Sequence, residues 1–187
     1  MTTVKSNKQP FVLALTGPSG SGKTTIGEKL AKKLDKCVNI DADHIKHMIP
    51  SGFYKDDKNP GGWSFSEWEL AGESVGLLVD NFLQKGYSVI INGYIDPPVW
   101  KEITKKVELT HKILLKPNVI ENYVRDSKRT EEIRMGQAAI DRHHAHFTLE
   151  DFYKDFTKLD TSNHSVEESV NAVIGIMKLE QSKGENL

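Results

Sequence analysis

A complete phosphate-binding motif stands near the start of the chain, where it reads Gly17-Pro18-Ser19-Gly20-Ser21-Gly22-Lys23-Thr24. An apolar run, residues 11–15, precedes the motif, and a helix-like run, residues 26–34, follows it. Glycines in such a loop let successive backbone N–H groups turn toward one anion, and the following helix directs its positive end at the same place. The motif therefore predicts an α/β chain in which a strand leads into a phosphate-binding loop.

Two side chains of this loop supply chemistry beyond the backbone. Lys23 can reach the β- and γ-phosphates of a nucleotide, and the hydroxyl group of Thr24 can ligate Mg²⁺. A glycine-rich turn without a ligand is the alternative, but every motif position is filled and the flanking pattern is correct. We predict a nucleotide site formed by Gly17, Pro18, Ser19, Gly20, Ser21, Gly22, Lys23, Thr24 and Thr25.

Composition and charge favour a single soluble domain. The chain has 187 residues with 25 basic and 26 acidic side chains, so no charge excess would attract nucleic acid or an anionic membrane. One cysteine, Cys37, permits no internal disulfide, and no apolar run is long enough to span a bilayer. We expect a cytoplasmic domain over 1–187, monomeric or homodimeric, with polar tails at about 1–9 and 180–187.

Strand-like and helix-like runs alternate along the chain. The predicted strands are at about 11–16, 37–41, 87–92, 109–115 and 156–160. We expect the second of them, which begins at Cys37, to be buried. The predicted helices are at about 22–34, 64–85, 97–106, 117–128, 134–147 and 165–179, the last with a Ser165/Glu168 capping box. This order predicts a three-layer P-loop fold with a five-stranded parallel sheet flanked by helices.

Carboxylates follow the second predicted strand, where a ligand beside the phosphate loop would lie. Asp41 and Asp43 could divide two tasks, orienting or deprotonating an acceptor hydroxyl group and ordering Mg²⁺ through water. For Asp43 we weigh a second interpretation, in which it caps a helix at 44–49. The sequence does not decide which aspartate is the base.

The third predicted strand ends without the acidic residue that a Walker B strand supplies. Asn92 stands there instead, and asparagine can bond to a metal-bound water but brings no negative charge. Asp96 lies beyond the strand and could cap the next helix. The metal-ordering role therefore shifts to Asp41 and Asp43.

Two arginines in the polar segment after residue 122 could neutralise a phosphoryl group. Arg125 and Arg129 are four residues apart and would share a helix face. A solvated basic surface is the alternative. We place a short lid at about 126–140.

Two further segments give weaker signals. His143 and His146 would be neighbours on a helix, but no second ligand cluster completes a metal site, so we do not predict one. Residues 51–63 contain three aromatic side chains, which could close over an acceptor or form a surface excursion.

The phosphate loop together with Asp41-Ala42-Asp43-His44-Ile45-Lys46-His47 resembles the small P-loop kinases of the nucleoside-monophosphate-kinase-like fold. Adenylyl-sulfate kinase, shikimate kinase and chloramphenicol phosphotransferase-like proteins are similar in element order over about residues 11–175. The resemblance implies that Lys23 binds the transferred phosphate, that Asp41 or Asp43 contacts the acceptor, and that Arg125 or Arg129 is a lid residue. It also implies that the loop at Thr161 borders the adenine.

These observations predict a kinase that uses ATP and Mg²⁺ to phosphorylate a hydroxyl group of a small metabolite, drug or nucleoside. A nucleoside monophosphate kinase is an alternative, although residues 44–86 contain four lysines and no arginine to bind an acceptor phosphate. A nucleotide-binding regulator with degenerate catalysis is a second alternative, which Asn92 permits. A GTP-binding switch lacks support, because no Asn-Lys-x-Asp motif follows the loop.

Overall fold

The computed structural model describes residues 9–48, 65–149 and 151–184. Its strands are β1 Val12–Thr16, β2 Cys37–Asp41, β3 Ser88–Asn92, β4 His111–Leu115 and β5 Thr157–Leu159. Its α-helices are α1 Lys23–Lys33, α2 Ala42–Lys46, α3 Phe65–Gln84, α4 Pro97–Thr104, α5 Val119–Ser127, α6 Gln137–Leu149 and α7 Val166–Gly184. Short 3₁₀ turns lie at Glu131–Ile133 and Asp151–Asp155.

All five strands form one parallel sheet in the order β2-β3-β1-β4-β5. The register pairs Leu15 of β1 with Asn92 of β3, and Asn92 with Asp41 of β2. The carboxyl ends of these three strands therefore meet at one edge, where ligands bind in open α/β sheets. The predicted fold class is confirmed.

Helices cover both faces of the sheet. On one face a buried cluster joins the strands to α3 and α4 through residues such as Val75 and Trp100. On the other face α1 and α7 contribute Ile26, Leu30 and Val170 to a second buried cluster. The apolar β1 is buried along its whole length because it lies at the centre between these layers.

The second strand differs from the prediction in its burial. Strand β2 is at the edge of the sheet and is mostly half-buried, because only β3 pairs with it. Cys37 is accordingly half-buried, and burial still raises the pKa of its thiol to about 11. The thiol therefore stays protonated at neutral pH, as expected for a packed side chain rather than a nucleophile.

The end of the last helix differs from the prediction. Helix α7 continues to Gly184, through most of the tail predicted at 180–187. The predicted capping box is present, since Glu168 N–H donates to Ser165 Oγ and Ser165 N–H donates to Glu168 Oε2.

The segment 51–63 lies outside the described residues. Within the described ranges, no helix is long and apolar enough to cross a membrane.

Candidate active site

The phosphate loop adopts the backbone that its glycines permit. Gly20 and Gly22 have φ angles of 80° and 93°, in the left-handed region that side chains with a Cβ rarely adopt. Gly22 is the N-cap of α1, and no side chain caps the first turn of that helix. The hydroxyl group of Ser21 is buried, and no described residue forms a hydrogen bond with it. This cradle of helix N–H groups and an unpaired hydroxyl suits an anion.

Lys23 lies folded against its own loop. Its Nζ donates to the carbonyl oxygens of Gly17 and Pro18 at 2.9 and 3.0 Å. Burial lowers the pKa of Lys23 to about 8, with the charges of Arg129 and Lys46 acting in the same direction and those of Asp43 and Asp41 opposing them. A phosphate would offer this ammonium group the charged partner that two carbonyl oxygens do not provide.

Asp41 connects the end of β2 to the phosphate loop. One carboxylate oxygen accepts from the backbone N–H groups of Asp43 and His44, at 2.9 and 3.3 Å. The other accepts from the Thr24 hydroxyl group at 3.2 Å. Asp41 is thus the N-cap of α2, and the suggestion that Asp43 caps a helix at 44–49 is wrong. The helix begins two residues earlier than the sequence pattern indicated.

Asp43 faces away from this cap toward Tyr94 and Lys46. Its Oδ2 accepts from the Tyr94 N–H at 3.0 Å, and its Oδ1 lies 2.6 Å from Lys46 Nζ. Lys46 is buried, donates to the Tyr94 carbonyl oxygen at 2.8 Å, and lies 4.7 Å from the centre of the Trp68 ring. Burial acts to raise the pKa of Asp43, but Lys46, Lys23 and the Tyr94 N–H lower it overall. Asp43 is therefore an anion at neutral pH.

Asn92 occupies the end of β3 and is fully buried. Its Nδ2 donates to Asn39 Oδ1 at 3.0 Å and to the Ile40 carbonyl oxygen at 3.3 Å. Its Oδ1 is buried and has no hydrogen-bond partner within residues 9–48, 65–149 and 151–184. The amide thus joins β3 to β2 beneath the site. An aspartate there could not make these two donations, so the replacement of the expected acid has a structural consequence.

The two arginines reach the phosphate loop from different elements. Arg125 is in α5 and donates to Thr161 O at 2.7 Å and to the Gly20 carbonyl oxygen of the loop at 3.5 Å, and its Nε donates to Glu121 at 2.8 Å. Helix α5 ends at Ser127, so the prediction that Arg129 shares a helical face with Arg125 is wrong. Arg129 nevertheless donates to the Ser19 hydroxyl group at 3.2 Å. Both guanidinium groups therefore border the loop.

A cleft of about 430 Å³ lies beside these arginines. Residues of the phosphate loop, α5 and the start of α7 line it, including Gly20, Thr25, Arg125, Arg129, His164 and Ser165. Thr161 is buried next to Arg125. Its place beside a nucleotide base stays a prediction.

The predicted lid begins as a closed turn. Both carboxylate oxygens of the buried Asp126 accept backbone N–H groups, from Met135 at 3.1 Å and from Gly136 at 2.9 Å. These two hydrogen bonds close the chain between Asp126 and Gly136 into a turn that joins α5 to α6. The role of the segment as a lid stays a prediction.

The structure adds site residues that the sequence reasoning did not select. Asn122 is fully buried, donates to the Ser19 carbonyl oxygen and lies 3.2 Å from His144 Nε2, which joins the phosphate loop to α6. Asp96 occupies the N-cap position of α4 without capping it, and it pairs with His146 at 3.0 Å. The sequence did contain one signal for Asn122. It lies one helical turn before Arg125 on α5, so both side chains point to the same side of the helix.

Comparisons with known structures show the fold. A gluconokinase from Sinorhizobium meliloti 1021 has a TM-score of 0.68 and 17% identity, and the match covers 96% of this chain and 99% of that one. Shikimate kinase from Bacteroides thetaiotaomicron has a TM-score of 0.61 and 18% identity, with 90% and 98% covered. In the Pnkp1/Rnl/Hen1 RNA repair complex, the match has a TM-score of 0.58 and 19% identity and covers 84% of this chain but half of the other.

Family comparison gives the closer assignment. No curated protein matches the chain. The model of the zeta toxin family, however, matches residues 1–111, more than half of the chain and the whole of the segment that contains the phosphate loop, Asp41, Asp43 and Asn92. The predicted resemblance to small P-loop kinases and the predicted enzyme class are confirmed. The chain belongs to the zeta toxin family of P-loop kinases.

Proposed function

We propose that this protein transfers the γ-phosphoryl group of ATP to a hydroxyl group of a small molecule, with Mg²⁺ as the metal. One observation carries the proposal. Lys23 of the phosphate loop and Asp43 of α2 lie at the same edge of the sheet, where Lys23 Nζ contacts its own loop at 2.9 Å and Asp43 is fixed by the Tyr94 N–H at 3.0 Å. The charge of each acts on the pKa of the other, as expected for a cation and a carboxylate in one site. Phosphoryl transfer needs these two groups on opposite sides of the transferred phosphate.

The metal would be held mainly by groups outside the chain. Thr24 Oγ1 and Asp41 Oδ2 are 3.2 Å apart, so the hydroxyl group can ligate Mg²⁺ while the carboxylate bonds to its water. Among the described residues, no group of three or more His, Cys, Asp or Glu side chains could hold a metal ion. Mg²⁺ commonly takes most of its ligands from phosphates and water, so this donor set fits it. When bound, Mg²⁺ would neutralise charge on the β- and γ-phosphates.

The protein's own residues account for positioning and charge. Lys23 would leave the carbonyl oxygens of its loop and bind the γ-phosphate. Arg129, already at Ser19, would add a guanidinium group where negative charge spreads over the phosphoryl oxygens. Asp43 would orient the acceptor hydroxyl group and take its proton late in the step, which suits a carboxylate of low pKa.

The acceptor is proposed to be a hydroxyl group rather than a phosphate. Asp43 at the acceptor side is anionic and would repel a second phosphate. Lys46, a buried cation on that side, is already paired with Asp43 at 2.6 Å.

A panel assay tests this function. Mg²⁺ and ATP would be incubated with sugars, sugar acids, nucleosides and nucleoside monophosphates, and phosphorylated product would be detected by mass spectrometry. We expect a hydroxyl acceptor to be phosphorylated, K23A to remove the activity, and D43N to lower kcat by about 10²-fold or more with nucleotide affinity retained. Preferential phosphorylation of a monophosphate would favour the alternative kinase class. ATP binding without turnover of any acceptor would favour a regulator instead.

A further inference from the structure

Helix α6 contains three histidines, and the protein satisfies the hydrogen bonding of two of them. His144 Nε2 lies 3.2 Å from Asn122 Oδ1. His146 Nε2 lies 3.2 Å from the Tyr153 hydroxyl group and 3.0 Å from Asp96. His143 has no hydrogen-bond partner among the described residues, and its Nδ1 is buried. His143 therefore differs from its two neighbours, because no protein group in the described part of the chain bonds to its ring nitrogens.

His143 packs against Tyr94, a residue that borders the proposed reaction centre. Its ring centre is 4.4 Å from that of Tyr94, with the planes tilted by 40°. The backbone of Tyr94 in turn binds both Asp43 and Lys46. Burial lowers the pKa of His143 to about 4, and the next cause is the charge of Lys23. The imidazole is thus neutral and lies within electrostatic reach of the phosphate-binding lysine.

The two ring nitrogens differ in their surroundings. A neutral imidazole has one N–H donor and one acceptor nitrogen. Placing the proton on buried Nδ1 would leave an N–H without an acceptor, and orphaned buried N–H groups are rarer than orphaned acceptors. We therefore assign the proton to Nε2, which is not among the buried unpaired atoms. The accessible nitrogen is then a donor.

We infer that His143 is a further substrate-contacting residue, which donates its Nε2–H to an oxygen of the γ-phosphoryl group. This inference rests on the proposed function, because it assumes a nucleoside triphosphate on Lys23. Negative charge spreads over the phosphoryl oxygens during transfer, and a donor held beside Tyr94 and Asp43 would stabilise it. The alternative is that the ring only packs against Tyr94, which a phenylalanine would do equally well.

Binding measurements with H143F separate these two roles, since phenylalanine keeps the ring and removes both nitrogens. Affinities would be measured by calorimetry for Mg²⁺ with a non-hydrolysable ATP analogue and for Mg²⁺ with ADP. We expect H143F to lower the affinity for the ATP analogue by about tenfold and to leave the affinity for ADP unchanged. H143Q, which retains an N–H donor, should recover part of the loss. Equal affinities of H143F and the wild type for the analogue would overturn the inference.

Ring ¹⁵N NMR of the wild-type protein gives a second readout, with the His143 signals identified by their absence in H143F. We expect the Nε2 signal to shift with the ATP analogue and not with ADP. Binding of the analogue with an identical His143 response to ADP would overturn this inference and leave the proposed function standing. Failure of the wild type to bind the analogue would overturn both.

Discussion

At the scale of single residues, the site depends on charges held in unusual surroundings. Lys23 is buried against carbonyl oxygens, so its ammonium form lacks a charged partner until a phosphate arrives. Asp43 lies 2.6 Å from Lys46 Nζ, and the pKa of Asp43 is lowered from its usual value. In the free protein Asp43 is therefore ionised at neutral pH, whereas Lys23 loses its proton at a lower pH than an ordinary lysine.

The lowered pKa of Lys23 predicts a pH dependence of nucleotide binding. Above a pKa of about 8 the free protein carries a neutral Lys23, which must take up a proton to bind a phosphate. Affinity for an ATP analogue should therefore fall with rising pH, by up to about tenfold per pH unit above that value. Calorimetry between pH 7 and 9.5, in buffers of different ionisation enthalpy, would measure both the slope and the proton uptake.

The lowered pKa of Lys23 affects folding stability in the opposite direction, so that stability rises with pH while nucleotide affinity falls. Between about 8 and the ordinary lysine value of 10.5, the unfolded chain binds a proton that the folded chain does not. This group alone therefore makes the free energy of unfolding rise with pH across that window.

For the pH dependence of nucleotide binding, K23R is the control, since arginine stays charged and should remove the pH slope. A wild-type affinity that is flat to pH 9.5 would contradict the prediction.

Sequence reasoning identified the residues of the loop and strand ends but not all of their partners. Lys23, Thr24 and Asp41 could be located because a motif and a strand end fix their places. The roles of the two aspartates depended on where α2 begins, and a shift of two residues moved the cap from Asp43 to Asp41. Local sequence patterns do not define helix ends that closely.

At the scale of elements, α3 and α4 pack closely on one face of the sheet, and one glycine makes this possible. A Cβ atom at Gly72 of α3 would lie 2.6 Å from the Val99 carbonyl oxygen and 2.7 Å from Glu102 Cβ, both in α4. Neither neighbour is the flexible end of a side chain. The two helices bracket the site, because Trp68 on α3 contacts Lys46 and α4 follows the Tyr94–Asp96 loop.

A matched pair of glycine substitutions tests this packing. G72A should lower the free energy of unfolding by about 1–3 kcal/mol, because the helices must separate. G175A, on an open face of α7 with nothing within 4 Å of the added Cβ, should raise it by about 0.5–1 kcal/mol through helix propensity. Urea unfolding followed by circular dichroism measures both. Equal effects of the two substitutions would show that α3 and α4 can separate without cost.

Element types and order followed from the sequence, whereas the surroundings of some elements did not. Continuous apolar runs predicted β1, β3 and β4, since strands buried on both faces need them. The edge position of β2 could not be predicted from Cys37-Val38-Asn39-Ile40-Asp41, because strand order depends on how the crossover helices pack. Likewise the pattern of α6 gave its helical state but not that Tyr94 and Asn122 would contact its histidines.

At the scale of the whole molecule, the site joins parts of the chain that are far apart in sequence. Lys23, Asp43, Tyr94, Arg129 and His143 come from separate elements. Parallel strands with crossover helices bring their carboxyl ends to one edge, which assembles the first three. The last two arrive with α5, α6 and the turn between them, held by Asp126 and Asn122. A ligand at this edge would therefore touch most layers of the fold.

Because a nucleotide would connect these elements, it should stabilise the molecule as a unit. A ligand that binds only the folded state at about 100 times its Kd adds about 2.7 kcal/mol to the free energy of unfolding. For a chain of 187 residues this corresponds to a rise in Tm of roughly 5–10 °C. We expect this shift with Mg²⁺ and a non-hydrolysable ATP analogue, measured by differential scanning calorimetry. K23A should lose most of the shift, because no other loop side chain replaces its contact with the γ-phosphate. The guanine analogue should give a smaller rise, since the chain has no Asn-Lys-x-Asp motif after the loop to bind guanine. Equal rises with the two analogues would contradict ATP as the donor, and an undiminished rise in K23A would place the nucleotide away from the phosphate loop.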